Sequence, residues 1–365
     1  MTYQDNSAGK KKVAMLIEQD VEDVEYTVPY NGLKQAGMEV VVLGSRMNEK
    51  YKGKRGKLTV KADATTTEAM AAEFDAVVIP GGMAPDKMRQ NPNTVRFVKE
   101  MREQGKWVAA ICHGPQVLIE GDLLKNTEAT GFRAIRKDII NSGANYIDDC
   151  LVVDANLITS REPGDLAIFT TAILNRLGYG GKEAGLPDER DTSAEWWKLA
   201  DAWGGSTKSD IVKGLNTALA GERYSSEALE QYLEKESEPQ IKSFFQEMIN
   251  NKQDHIVKLE AYLHKLGEKP SLSANIASQY AKVKAALTGS DDIYQLRCAL
   301  GDIQTGIGDV SSLSVMYTDP VATEIFKEIY HDFYQYEQRL TELYRLRIVA
   351  GIKPPKPTSG TAVAI

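Results

Sequence analysis

Five residues of strand character, Trp107-Val-Ala-Ala-Ile111, run without a spacer into Cys112-His113-Gly114-Pro115. A short apolar run ending in so tight a turn, with Gln116-Val-Leu118 just beyond, predicts a buried strand that breaks directly into a helix. Such a turn lifts the residue at its apex into a strained, exposed position. A cysteine there faces a helix N-terminus, whose dipole and free N–H groups favour the thiolate, the reactive form of the thiol. A strand of this kind needs parallel neighbours, which turns the question to the runs before and after it.

Those runs recur at βαβ spacing. Residues 12–17 (Lys-Val-Ala-Met-Leu-Ile) suit a buried parallel strand, followed by a helix from about Glu22 to Ala36 that Gly37 ends. Met38–Leu43 is the second strand, Lys57–Lys61 a short one, and Phe74–Pro80 a buried one that ends in Gly81-Gly82. A helix over Thr94–Gln104 leads into the strand before Cys112. Beyond it, Ala129-Thr130 reads as a short strand, Asn145–Asp148 and Cys150–Val153 as a hairpin, and Leu157–Ser160 as the last strand. Asp165–Leu177 is a closing helix stopped by Gly178. The expectation is one doubly wound α/β domain over residues 10–180.

The pattern then changes. The Gly and Pro of Tyr179–Pro187 mark a linker, and Trp196, Trp197 and Trp203 a docking segment, together spanning 181–208. From 209 to 349 strand signals almost vanish. Four helical stretches can be drawn, at about 209–235, 239–266, 273–287 extending toward 299–315, and 320–349. Pro239, Gly267–Pro270, Gly289-Ser-Asp and Asp319-Pro320 separate them, as expected of a four-helix bundle. Gly301, Gly306 and Gly308 weaken the third helix, each by roughly 1 kcal/mol relative to Ala. Residues 350–365 read as a Pro-rich flexible tail.

Bulk properties exclude some classes. A chain of 365 residues exceeds what one core supports, which agrees with two domains. A net charge of -7 argues against nonspecific nucleic-acid binding. Three scattered cysteines, Cys112, Cys150 and Cys298, make neither a disulfide framework nor a zinc site. The polar start Thr2–Ser7 lacks a signal core, and no apolar run reaches the roughly 18 residues that span a bilayer. The expected setting is the cytoplasm, with no membrane and no nucleic-acid partner.

Candidate partners for the thiol lie at other strand ends. Glu22 and Glu25, three apart in Val21-Glu-Asp-Val-Glu25, sit on one side of a helix start just past the first strand. One of them is expected to hydrogen-bond the Cys112 sulfur as a protonated acid, although acids at a helix start also simply complement its dipole. Gly81-Gly82 permits close backbone approach, so N–H groups near Gly82 and His113 are candidates for an oxyanion hole. His113 is one of only four histidines and adjoins the sulfur, but needs a third group to orient its ring.

Taken together, Leu-Ile-Glu-Gln-Asp-Val-Glu-Asp-Val-Glu-Tyr, Val-Ile-Pro-Gly-Gly-Met-Ala-Pro-Asp, Ala-Ile-Cys-His-Gly-Pro-Gln and Ser160-Arg161-Glu-Pro-Gly-Asp-Leu resemble the ThiJ/PfpI superfamily, in its PfpI-like, DJ-type branch. The resemblance covers about residues 10–178. It implies a flavodoxin-like fold, dimers or hexamers, a nucleophile at Cys112 with His113 beside it, acidic site residues at Glu22 and Glu25, and a substrate pocket that includes Arg161 and Pro163. It further implies that Asp86, where relatives usually carry Glu, orients the histidine from a neighbouring subunit, so the site would be shared across subunits. Members of the family are described as intracellular proteases, cofactor-free glyoxalases, deglycases, chaperones and oxidation sensors.

In the helical part, the segments around Glu222 and His255 resemble ferritin-like bundles, which hold two metals with a Glu from two helices and Glu-x-x-His from the other two. Lysine at position 252 replaces the acid expected three residues before His255. The third helix offers only Asp302 and Asp309, and the fourth His331 and Glu337 in the wrong order. No metal is expected, with Glu222 and His255 the weak candidates, and the bundle is read as a packing or assembly module. The function expected of the chain is a cofactor-independent cysteine hydrolase or glyoxalase acting on small carbonyl or acyl compounds. The alternatives are a non-catalytic redox sensor or chaperone-like stress protein, and an intracellular cysteine peptidase.

Overall fold

The apolar runs become the central strands of a sheet in the computed structural model, which describes residues 10–179, 185–271 and 292–349. In order these are β1 (Lys12–Leu16), α1 (Asp23–Gln35), β2 (Glu39–Gly44), β3 (Lys50–Lys52), β4 (Thr59–Lys61), β5 (Ala64–Thr65) and β6 (Ala76–Ile79). There follow α2 (Ala84–Met88), α3 (Pro92–Glu103), β7 (Trp107–Ile111), α4 (Pro115–Glu120), β8 (Glu128–Ala129), α5 (Arg136–Asn141), β9 (Asn145–Tyr146), β10 (Val152–Asp154), β11 (Leu157–Ser160) and α6 (Leu166–Arg176).

The main sheet runs β10-β11-β7-β6-β1-β2-β5, all parallel except the β10–β11 pair. All of β6 and the last four residues of β7 are buried, as strands covered by helices on both faces must be. Register is set by pairs such as Met15 with Val78, Ile79 with Ala110 and Ser160 with Ile111. The chain winds outward from β1 through β2 to β5, then returns to β6 on the other side of β1. The strand order therefore reverses between β1 and β6, and ligand sites in open sheets form at the carboxyl ends beside such a reversal.

One expected hairpin is not formed. Residues 145–146 pair in parallel with β8 in a separate two-stranded sheet, while β10 forms the hairpin with β11. Asp154-Ala155-Asn156 supplies its turn, with Ala155 at a φ of 51°. Another hairpin, β3 with β4, is one the sequence reading half missed.

The chain divides into two compact units, one running to Thr207 and including Thr318–Pro320, the other made of the remaining helices. The Trp segment belongs to the first. Its short helix α7 (Trp196–Ala202) buries Trp196 against Ala167 and Ile168, and Trp203 joins the main core. Gly32 makes room for it: a Cβ there would lie 2.7 Å from Thr170 and 3.2 Å from the Trp203 ring.

Among the described residues the second unit holds α8 (Lys208–Lys235), α9 (Pro239–Lys265), α10 (Asp292–Ser314) and α11 (Pro320–Val349). On α8, Ile211, Leu215, Ala218, Leu219, Glu222, Ser226, Leu229 and Tyr232 are buried at the three- and four-residue spacing of one helical face. The stretch read as a helix over 273–287 and the Pro-rich tail lie outside the described residues. Among the described residues no helix is long and apolar enough to cross a membrane.

Candidate active site

Three strand ends meet at the reversal. β1 leads to Val21, whose segment is held between two others: Val21 bridges both Gly53 and Gly82, and Glu22 N–H donates to Gly81 O at 3.3 Å. β6 delivers Gly81-Gly82, and β7 delivers Cys112. The cysteine backbone sits at a φ of 60°, a left-handed conformation that costs a non-glycine residue about 1–2 kcal/mol. Its surroundings impose that conformation. Cys112 N–H donates to Ser160 O at 3.0 Å, and Cys112 O accepts from Phe132 N–H at 2.8 Å. Gly114 has to be glycine, because a Cβ would stand 2.5 Å from Ile79 O.

The two acids diverge. Glu22 is the N-cap of α1 with an extended backbone, so it does not share a helical face with Glu25 as the three-residue spacing suggests. Its carboxylate pairs with Arg55, and with Lys54 at 3.8 Å. Both cations stand in the β3–β4 turn, which Asp23 fastens by accepting from Arg55 N–H at 2.8 Å and Lys57 N–H at 2.9 Å. Glu25 is fully buried and turns toward the thiol. Its Oε2 accepts from Gly81 N–H at 2.7 Å, while Oε1 is buried with no hydrogen bond of good geometry. Burial, reinforced by the charge on Glu22, pushes Glu25 up to about 8, against opposing contributions from Cys112 and Gly81. It is therefore protonated at neutral pH.

Cys112 is strained, but it is buried rather than exposed as expected, at 6%. Burial and the neighbouring Glu25 push its thiol well up, while the N–H groups of Gly82 and His113 pull it down. The thiolate expected from a helix N-terminus is thus not favoured by the surroundings as a whole; α4 has only six residues. Carboxyl and thiol therefore both hold their protons near neutrality, the carboxyl raised by burial and the charge on Glu22, the thiol by burial and Glu25. A neutral Glu25 beside the sulfur removes the carboxylate's repulsion of a thiolate.

Gly81 is the residue most tightly enclosed by this group. A Cβ would lie 2.5 Å from Glu25 Oε2, 2.8 Å from Cys112 Cβ and 2.8 Å from His113 N. Gly82 has a φ of 76°, and a Cβ on it would reach within 2.4 Å of Glu22 N. His113 Nδ1 lies 3.4 Å from Cys112 Sγ, and its ring centroid 4.9 Å from that of Phe132. Burial and Lys54 lower its proton affinity. Among the described residues of the chain no carboxylate bonds to His113. Asp86 is exposed on α2, and its backbone carbonyl is bonded to Gln90.

Arg161 follows the strand end that binds Cys112 N–H, but its guanidinium is engaged by Asp165 at 3.0 and 3.1 Å and by Asp148 at 3.2 Å. Pro163 is buried in the short turn before α6. Sequence reasoning missed Asp23, Lys54 and Arg55. The signal for them was the basic, glycine-flanked turn Gly53-Lys-Arg-Gly56, which reads as a hairpin tip next to an acid-rich helix start.

In the second unit, Glu222 and His255 do come together, with His255 Nδ1 2.9 Å from Glu222 Oε2. Lys252 Nζ lies 3.3 Å from Glu222 Oε1, and His255 Nε2 3.0 Å from Asp332 Oδ2. Burial pushes the Glu222 carboxyl up, but Lys252 and His255 together leave it below its ordinary value. Asp332 was missed by sequence reasoning. So was a Glu-x-x-His in α11, Glu328 and His331, but both are exposed: Glu328 pairs with Lys258, and His331 meets Gln335. Among the described residues no three His, Cys, Asp or Glu side chains are placed to hold a metal.

Comparison with known proteins agrees with this division. Residues 11–176 match the DJ-1/PfpI family model, and residues 210–302 match a domain of unknown function, DUF2383. A Bacillus subtilis protein named "Putative cysteine protease YraA" is 46% identical over 167 residues, 46% of this chain and 98% of that protein. Protein/nucleic acid deglycase 2 of Escherichia coli is 40% identical over 169 residues, again 46% of this chain and 98% of that one. A crystal structure from Anabaena variabilis, described as a two-domain protein containing DJ-1/ThiJ/PfpI-like and ferritin-like domains, is 75% identical. It covers 96% of this chain and 100% of its own, with a TM-score of 0.90. The chain belongs to the DJ-1/PfpI family, with that domain joined to a ferritin-like helical one.

Proposed function

We propose that the protein is a cysteine-dependent enzyme of stress protection that acts on small reactive carbonyl compounds or their adducts, in the manner of a deglycase or cofactor-independent glyoxalase. The observation that carries this is Cys112 in a left-handed backbone conformation, set between the Gly82 and His113 N–H groups and a protonated Glu25. In this reading the sulfur attacks an aldehyde carbon. The carbonyl π electrons move to oxygen, the two N–H groups hold that oxygen, and Glu25 gives its proton to that oxygen as it takes up the one the thiol releases. With a 2-oxoaldehyde, the resulting thiohemiacetal loses its C1 proton to a nearby base and regains one on C2. Water then hydrolyses the thioester to a 2-hydroxy acid, so that substrate and water account for every atom of product.

His113 is the candidate base, and it needs an acid to orient it. Exposed Asp86 supplies that acid from a second copy of the chain, which makes the working unit an oligomer. The reading places the protein in a reducing compartment such as the cytoplasm, where a free thiol persists. Methylglyoxal turnover tests it: Cys112→Ser is expected to reduce the rate to background, and unchanged turnover in that variant would sink the proposal. The same N–H pair and acid also suit a sulfinate on Cys112. Peroxide titration followed by mass spectrometry separates a sensor from an enzyme, since a pure sensor oxidises selectively at Cys112 without turning over substrate.

A further inference from the structure

We propose that in the helical unit the side-chain ammonium of Lys252 takes the place of a metal ion, so that this ferritin-like bundle is closed by an internal cation and binds no metal at its centre. Bundles of this type place acids and histidines from four helices around two metals. Here the equivalent interior holds Glu222 from α8, Lys252 and His255 from α9, and Asp332 from α11.

Three observations carry the proposal. First, Lys252 is completely buried, with Nζ 3.3 Å from Glu222 Oε1 and 4.0 Å from the centroid of the Phe333 ring. A buried ammonium persists only when paired, and here it has a carboxylate on one side and an aromatic face on the other. Second, both nitrogens of His255 face carboxylate oxygens, at 2.9 and 3.0 Å, so neither is directed at a metal. Third, the ring beside the ammonium has a built seat. A Cβ at Gly306 would lie 2.5 Å from Phe333, so glycine on α10 lets that ring approach. A divalent ion here would meet the Lys252 amino group, which burial pulls toward the neutral form and Glu222 holds toward the ammonium, and an apolar ring where it needs oxygen ligands. The Glu-x-x-His of α11 does not compensate, because Glu328 and His331 lie at the surface.

The residues present therefore do not fit the metals that the fold accommodates elsewhere. They form a hydrogen-bonded chain, Lys252–Glu222–His255–Asp332, that links α8, α9 and α11 through charge.

The test is cobalt(II) titration of the full-length protein, read by visible d–d absorption and by the shift in melting temperature. Wild type and His255→Ala are expected to give the same spectrum, with no cobalt signal that depends on His255. Lys252→Glu restores an acid three residues before His255 beside Glu222 and Asp332, and is expected to gain one bound cobalt per chain and a cobalt-dependent rise in melting temperature. A His255-dependent cobalt spectrum in wild type overturns the proposal, as does a folded Lys252→Glu protein that binds no cobalt. Lys252→Met keeps the stem and removes the charge. It is expected to lower the denaturation midpoint, and a midpoint equal to wild type would show that the ammonium does not hold the cluster.

Discussion

Glu25 and Gly81 show how closely single atoms decide this site. The folded-state value of about 8 for Glu25 lies above its ordinary value of 4.5, so the native protein keeps a proton that the unfolded chain releases between those values. The associated stability is fully present below about pH 4.5 and is lost as pH rises toward 8. Melting temperature is therefore expected to fall from pH 5 to pH 8 in wild type and to fall less in Glu25→Gln, as measured by differential scanning calorimetry. Gly81→Ala forces a methyl against Glu25, Cys112 and the His113 backbone. Overpacking of that kind costs about 1–3 kcal/mol, and kcat/KM for methylglyoxal is expected to fall at least about tenfold. Full activity in Gly81→Ala would mean that the carboxyl and thiol need not stay in their present places.

At the scale of elements, the glycines of α10 separate propensity from packing. In a helix interior Gly→Ala normally gains up to about 1 kcal/mol. Gly301 has open space around a would-be Cβ, so Gly301→Ala is expected to raise the urea midpoint. At Gly306 the same change meets Phe333 at 2.5 Å and is expected to lower it. Equal shifts in the two variants would contradict the contact of Gly306 with Phe333. The β3–β4 hairpin makes a similar point. Its turn is fastened to α1 by Asp23 and brings Lys54 and Arg55 to Glu22, so that Glu22 is neutralised by ion pairs while Glu25 is neutralised by a proton.

For the whole molecule, the proposed enzyme is complete only if a second copy supplies Asp86. Light scattering is expected to give a mass of at least two chains. Asp86→Asn is expected to lower kcat about tenfold or more, within the range typical of general acid–base partners, without changing that mass. A fully active monomer would remove the need for a shared site. The bundle's family match is a domain of unknown function, which assigns it no activity.

Much of this was determined by the sequence alone. Apolar runs at βαβ spacing, the change of period near residue 208, the Cys-His-Gly-Pro turn and the Gly81-Gly82 strand end are local patterns, and local patterns survive without knowledge of partners. The sequence also showed that lysine stands where the bundle's acid should be. Only the tertiary structure could separate Glu22 from Glu25, because the difference lies in which residue is the N-cap and in a hairpin 30 residues away. The same holds for Asp332 over His331, one position apart on a helix, where a turn of about 100° decides whether a side chain meets the core or solvent. The state of the thiol was decided there too. A helix start argues for a thiolate, but burial beside Glu25 weighs more, and burial is a property of the assembled fold.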